Sequence, residues 1–411
     1  MSKTTRVMIT TALLPLALAT SVQAADNFSD GIASMVSDGK ASVDFRYRFE
    51  GVDDENFDKD AKASTLRSRL TLETAAYKGF TAKLEFDNVS DIGSDEFNST
   101  TNGNAEYPVV ADPEGTDLNQ AWAAYQFNTS TATFGRQRIT HGSQRFIGGV
   151  AWRQNEQTYD GLRAVIKPIE SLAIDLSYVS RINRIFGPND GAQPSKWKGD
   201  NWWLRADYSI TDKHTLTGFA YRIDVDEQDG YASGRTVDNS NDTYGIDYRG
   251  SFGPVSVAAS AASQTESGKS NLSYDADYYM VELGAKLVGV NFKAAYEVLG
   301  SDNGVGFKTP LATLHKFQGW ADKFLATPAD GIEDAWIGAT GKAGPLKLGA
   351  FYHDFAAESS SVDYGTEIDL VATWPATKVL TLQAKYAKFS ADNSGPLTDT
   401  EKFWLTAQLK L

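Results

Sequence analysis

This sequence predicts an all-β fold, a single transmembrane antiparallel β-barrel of eighteen strands, with sixteen as the alternative count. Three observations carry the prediction. Apolar and polar residues alternate with period two over most of the chain, which marks strands with one apolar and one wet face. Tight turns alternate with long loops rich in Asp, Asn, Gly and Ser, so one end is plain and the other elaborate, as in outer-membrane barrels. The composition suits a large β protein, with 18 Tyr, 21 Phe, 9 Trp and 35 Gly against 12 Pro. It also excludes other classes. A chain with 22% charged residues lacks the spans of about 20 apolar residues that a helical bundle needs. The absence of cysteine removes disulfide scaffolds and thiolate metal sites. A formal net charge of −14 argues against a nucleic-acid partner.

Residues 1–24 have the layout of a secretory signal peptide. Lys3 and Arg6 precede a mostly apolar stretch from Val7 to Ala19, and Val22-Gln23-Ala24 forms a small-residue cleavage pattern before Ala25. Residues 25–40 form a short N-terminal periplasmic segment, too short for a plug domain, and 41–411 form one barrel domain. Its strands are expected near 41–50, 64–77, 79–90, 117–127, 130–139, 157–167, 171–182, 201–210, 214–224, 242–252, 254–265, 276–287, 289–299, 333–341, 345–355, 363–374, 377–389 and 401–411. In the first, Val43, Phe45, Tyr47 and Phe49 oppose Asp44, Arg46, Arg48 and Glu50; in the last, Phe403, Leu405, Ala407, Leu409 and Leu411 share one side. Strands of about ten residues match a tilted bilayer crossing. Tyr47, Phe49, Trp202, Tyr208, Tyr221, Tyr278, Tyr279, Trp336, Trp374 and Trp404 sit where aromatic girdles belong.

A barrel of this size encloses an aqueous lumen, so the inward charges decide what it does. Arg46, Arg48, Arg67, Arg69, Arg163, Arg181 and Arg205 fall on inward-phased positions, with Arg136 and Arg138 at the end of the fifth strand. Arginine rings favour anions in a pore; the alternative is that these residues only pair with Asp44, Glu73, Glu85, Asp87, Asp175 and Asp207 on the same phase. Trp203, opposite in phase to Trp202, is the candidate for stacking on a sugar. The acidic run Asp54, Asn56, Asp58, Asp60 lacks the glycine and glutamate of a calcium loop, so no metal or cofactor is expected. His141, His214, His315 and His353 form no hydrolase or metalloprotease motif, and no enzyme is expected.

Residues 135–153, GRQRITHGSQRFIGGVAWR, with Tyr159-Asp160-Gly161-Leu162 following, resemble a segment of the alginate-export family of outer-membrane porins. Residues 309–325, TPLATLHKFQGWADKFL, are similar to another segment of that family. The resemblance implies an eighteen-stranded barrel passing anionic saccharides along an arginine-lined path, and carries Arg136, Arg138, Arg145 and Arg153 over as pore or constriction residues. This chain departs from the alginate exporter in having only short tight-turn connections and no arginine beyond Arg249. Leu314, Phe317, Trp320, Phe324 and Leu325 recur at helical spacing between Ala312 and Ala326, predicting a short amphipathic helix that, with His315, narrows the lumen or caps its rim.

The function expected is passive diffusion of hydrophilic, anionic solutes such as sugar acids or alginate-like oligosaccharides across the bacterial outer membrane. A surface-binding, adhesive or receptor barrel with a closed lumen is the alternative. Outer-membrane lipid, lipopolysaccharide, saccharide solutes and the barrel-assembly machinery are the expected partners.

Overall fold

A computed structural model describes residues 22–232, 236–393 and 395–411. The leader expected over 1–24 lies outside the described residues up to residue 21. Helix α1 (Val22–Ser37) sits at the tight-turn end, where Met35 O accepts from Ala75 N at 2.9 Å. Among the described residues no helix is long and apolar enough to cross a membrane.

The alternating segments form β1 (Lys40–Asp54), β2 (Ala61–Glu73), β3 (Phe80–Glu96), β4 (Gly115–Phe127), β5 (Ser130–Gln137), β6 (Thr158–Ile169), β7 (Leu172–Asn183), β8 (Lys196–Thr211), β9 (His214–Ile223) and β10 (Asn241–Phe252). They continue with β11 (Val255–Glu266), β12 (Asp275–Leu287) and β13 (Val290–Leu299). A small hairpin, β14 (Ser301–Asp302) and β15 (Val305–Gly306), stands in a loop before β16 (Ile332–Ala343), β17 (Leu346–Ala356), β18 (Asp363–Pro375), β19 (Leu380–Ala391) and β20 (Thr400–Lys410). Leaving out the hairpin, each strand pairs antiparallel with its neighbour, and β1 pairs with β20 from Asp44↔Lys410 to Asp54↔Thr400. The result is a closed barrel of eighteen strands, one of the two counts expected. Closure leaves no unpaired edge, which hydrocarbon requires because it offers backbone groups no partners.

Turns and faces follow from residue chemistry. Val288 and Gly289 join β12 to β13 with φ of +48° and +83°, a primed hairpin turn whose twist matches the flanking strands. Phe45, Leu70, Phe86, Leu176, Val281 and Leu405 point outward as an apolar band. Of the expected girdle, Tyr47, Trp202, Tyr208, Tyr279 and Trp374 are exposed on that outer face. Tyr221, Tyr278 and Trp404 correct the expectation: they point inward and are buried. Parity is the reason, since each lies one residue from an outward residue such as Tyr279 or Phe403. Trp336 shares their inward parity, lying beside buried Asp334 and opposite His353.

The interior core lies in the half of the barrel nearest the long loops. There Ile147, Leu311 and Phe324, from two loops, pack with the wall residues Trp203, Tyr278, Phe355 and Trp404. A smaller cluster, Val52, Ala61, Ala63, Phe97 and Val110, seats the 97–114 loop on β1 and β2.

Candidate pore and constriction

Two loops fold into the lumen, and wall charges hold them. The first runs from Arg138 to Gln157. Arg46, on the inward face of β1, donates from Nε to Gln154 Oε1 and from Nη1 to Ala151 O, both at 2.9 Å, and from Nη2 to Arg153 O. Arg48 donates to Trp152 O and lies 3.4 Å from Asp112. Arg67 and Arg69 face Glu156 at 3.9 and 2.8 Å, and Arg69 also grips Asp87 through both forks at 2.6 Å. Arg138 pairs with Glu85 and Glu156. Arg153 reaches Glu50 at 3.0 Å, and Arg145 crosses the lumen to Glu297 on β13 at 3.0 Å. These guanidiniums are paired clamps, all buried except the partly accessible Arg138, because a fork of donors satisfies several backbone and carboxylate oxygens at once.

The second loop runs from Phe307 to Gly331. The helix expected between Ala312 and Ala326 is not formed: only Leu314–Lys316 make a single 3-10 turn. Gln318, Gly319 and Asp322 take positive φ of 50°, 77° and 61°, which no α-helix accommodates. The loop does enter the lumen. Trp320 N donates to Asp369 and Ala321 N to Glu367 on β18, at 3.2 and 2.7 Å. Asp322 sits 2.7 Å from His315, 2.9 Å from Lys402 and 3.6 Å from Arg153. Lys323 joins Asp54 and Thr400. The loops meet each other: Gly148 N donates to Leu311 O at 2.8 Å, and Trp152 stacks on His315 with centroids 4.1 Å apart. Lys385 lies 4.0 Å from the Trp152 ring and 3.6 Å from that of Trp320, closing the seam. Phe324 packs on Phe355, and Phe317 lies under Arg145.

Burial tunes the loop acids and bases. It disfavours the charged form of His315 and brings its pKa to about 3, outweighing Asp322. For Glu156 burial pushes upward, but Arg69, Arg138 and Arg67 overcome it and hold the carboxyl at about 2.

Not every expected arginine faces the lumen. Arg136 has the outward parity of Phe134 and lies in one cross-strand row with Asp160 and Arg181. Arg136 and Arg181 therefore lie on the outer face, with Asp160 at 2.8 and 3.2 Å. The register shift between Val179 and Arg181 is what turns Arg181 from its expected side. Arg163 and Arg205 face inward as expected, paired with Asp175 at 2.5 Å and Asp207 at 2.7 Å. Trp203 is inward but fully buried against Tyr159, which corrects its assignment as a stacking platform.

Sequence reading missed the cations that look into open lumen. Arg249 on β10 has the inward parity of Asp247, is exposed, and has no carboxylate within bonding distance among the described residues. Lys316 on the second loop donates, among the described residues, only to Ser143 O. Lys293 on β13 pairs with Glu282 and stays half-exposed. Inward parity was the signal for Arg249 and Lys293; no local signal marked Lys316. Among the described residues no cluster of three His, Cys, Asp or Glu side chains is placed to hold a metal ion.

Comparison with known proteins agrees with this architecture. The family model described as alginate export matches residues 34–299, which include the 135–153 segment; the 309–325 segment lies beyond the match. No curated protein sequence matches. The crystal structure of Acinetobacter baumannii OccAB2 superposes with a TM-score of 0.70 at 13% identity, over 92% of this chain and 99% of that one. Pseudomonas aeruginosa OccK3 (OpdO) gives 0.68 at 12% identity, over 93% and 98%. Pseudomonas aeruginosa OccK9 (OpdG) gives 0.67 at 16%, over 92% and 100%. At these identities the likeness is one of fold. A closed eighteen-stranded barrel and a family match over most of its length place this chain in the alginate-export family of outer-membrane porins.

Proposed function

We propose that the protein is a passive outer-membrane diffusion channel for small anionic solutes of the sugar-acid or uronate-oligomer kind. The observation that carries this reading is the set of lumen cations left over after the clamps are made: among the described residues, Arg249 has no carboxylate partner, Lys316 bonds to a carbonyl alone, and Lys293 is half-exposed. Arg163 on β6, Arg205 on β8 and Arg138 after β5, paired but partly accessible, continue the positive lining along the wall beside β10, where Arg205 reaches Asp247 at 3.3 Å. An anion about 4 Å from an unpaired guanidinium gains about 1 kcal/mol even in bulk water, and a cation loses as much. Arg46, Arg48, Arg67, Arg69, Arg145 and Arg153 act one step removed, by holding the constriction that solutes must pass. Cleavage after residue 24, with 25–40 as a periplasmic segment, belongs to the same reading.

The test is reversal potential in planar bilayers under a salt gradient. Wild type should prefer anions, and the double variant R249Q/K316Q should lose several-fold in anion-to-cation permeability. Folded protein without conductance supports the surface-binding alternative.

A further inference from the structure

A cavity of about 760 Å³ lies on the long-loop side of the constriction, with the two inward loops as its floor. Trp152, Leu314 and Leu325 belong to the floor, and Phe57, Val109 and Phe186 to the walls. The size falls within the range of small-molecule pockets, and the walls are mainly hydrocarbon with a few charged groups. Most of those charges are already paired: Asp54 with Lys323 at 3.2 Å, Asp322 with Lys402 at 2.9 Å, Arg153 with Glu50 at 3.0 Å.

Arg184 is different. It begins the loop between β7 and β8 and is held between the rings of Phe186 and Trp197, at 4.5 and 4.1 Å. Its Nη1 donates to Gln193 Oε1 at 3.4 Å and Pro194 O at 3.0 Å, both neutral acceptors. Among the described residues it has no salt bridge, and burial pulls its pKa down to about 9 against the opposing effect of the Tyr231 phenol. A guanidinium keeps unused donors suited to a carboxylate, and two flanking rings fix its plane. Charge without a counter-ion, set in an aromatic and aliphatic wall, matches one kind of guest.

We propose that this vestibule, through Arg184, captures a small organic anion that carries an apolar or aromatic ring, before the anion reaches the lumen cations. The proposal adds to the sugar acids of the channel reading a second class of anion, and rests on that reading for its place on the transport path. A uronate, hydroxylated all round, leaves the hydrocarbon wall unmatched; a neutral ring leaves Arg184 unmatched.

Full-length protein, refolded in detergent, tests this by calorimetry with benzoate, benzyl alcohol and D-glucuronate as probes. Benzoate should bind at least tenfold more tightly than either of the others. R184Q should weaken benzoate by tenfold or more, since a charge-assisted pair is lost, and R184K should recover part of it. L325W, which fills the cavity without touching the charge, should abolish benzoate binding. In planar bilayers benzoate should interrupt current only from the long-loop side. Equal benzoate affinity in wild type and R184Q, or equal affinity for benzoate and glucuronate, overturns the vestibule site while normal conductance leaves the channel intact. Retained, Arg184-dependent benzoate binding in a protein without conductance supports the site and overturns the channel.

Discussion

Asp322 anchors the second inward loop, and D322N measures what the anchor is worth. The carboxylate is almost fully buried, with Lys402 at 2.9 Å and Arg153 at 3.6 Å. Breaking a buried pair by removing one partner costs about 3–5 kcal/mol, because the remaining charge is stranded. The amide retains the contact with His315, and Arg153 keeps Glu50 at 3.0 Å, so the low end, about 3 kcal/mol, applies. That energy multiplies the ratio of released to docked loop by roughly 100-fold. A loop released about one part in a thousand becomes released about one part in ten, frequent enough to see. Single-channel recording should show D322N visiting a higher-conductance state that wild type rarely enters, while D58N, in an exposed loop, leaves traces unchanged. If D322N migrates as a folded, heat-modifiable barrel yet its current histogram overlays that of wild type, the loop is not held by this charge cluster.

Other consequences are equally open to measurement. R46M removes donors from Gln154, Ala151 and Arg153 together, and should destabilise loop docking by about 3 kcal/mol or more; limited proteolysis within 140–157 reports it. Glu156 has a folded pKa near 2, below its unfolded value of about 4.3, so its contribution is complete above that value and fades as pH falls toward 2. The thermal midpoint in detergent should hold steady from pH 7 to about 5 and drop below about 4, with a shallower drop in E156Q. V281R puts charge on the lipid face and should destabilise by about 2–4 kcal/mol, whereas E282R on the neighbouring lumen position should not; urea titration in detergent micelles compares them.

What the sequence revealed and what it hid divide along a physical line. Alternation is local, so it placed the strands, to within a few residues at the tight-turn end for most of them. The long-loop ends of β1, β3 and β8 extend further than alternation showed, to Asp54 and Glu96 and back to Lys196. Faces were readable wherever parity ran unbroken, as for Arg46 and Arg67, which pair across β1 and β2. They failed where a bulge slipped the register, as at Arg181, and where two aromatics stood side by side, as at Tyr278 and Tyr279. The helical spacing of Leu314, Phe317 and Trp320 was misleading because a loop that fills a cavity also needs apolar anchors at intervals, while its backbone obeys Gln318, Gly319 and Asp322. The clamps were out of reach: Arg46 meets Gln154 over a separation of 108 residues, and nothing near either residue announces the other.

The pairing of β1 with β20 has a consequence for assembly. Its partners, Asp44 and Lys410 at one end, stand hundreds of residues apart along the chain, so the ring cannot shut until the last hairpin is in place. Until then both rims of the growing ribbon show bare amides and carbonyls, hazardous in water and intolerable in fat. Locking the seam is therefore the committing event of biogenesis. Damage to Phe403 or Leu405 should trap the whole ribbon half-made rather than merely weaken a finished cylinder.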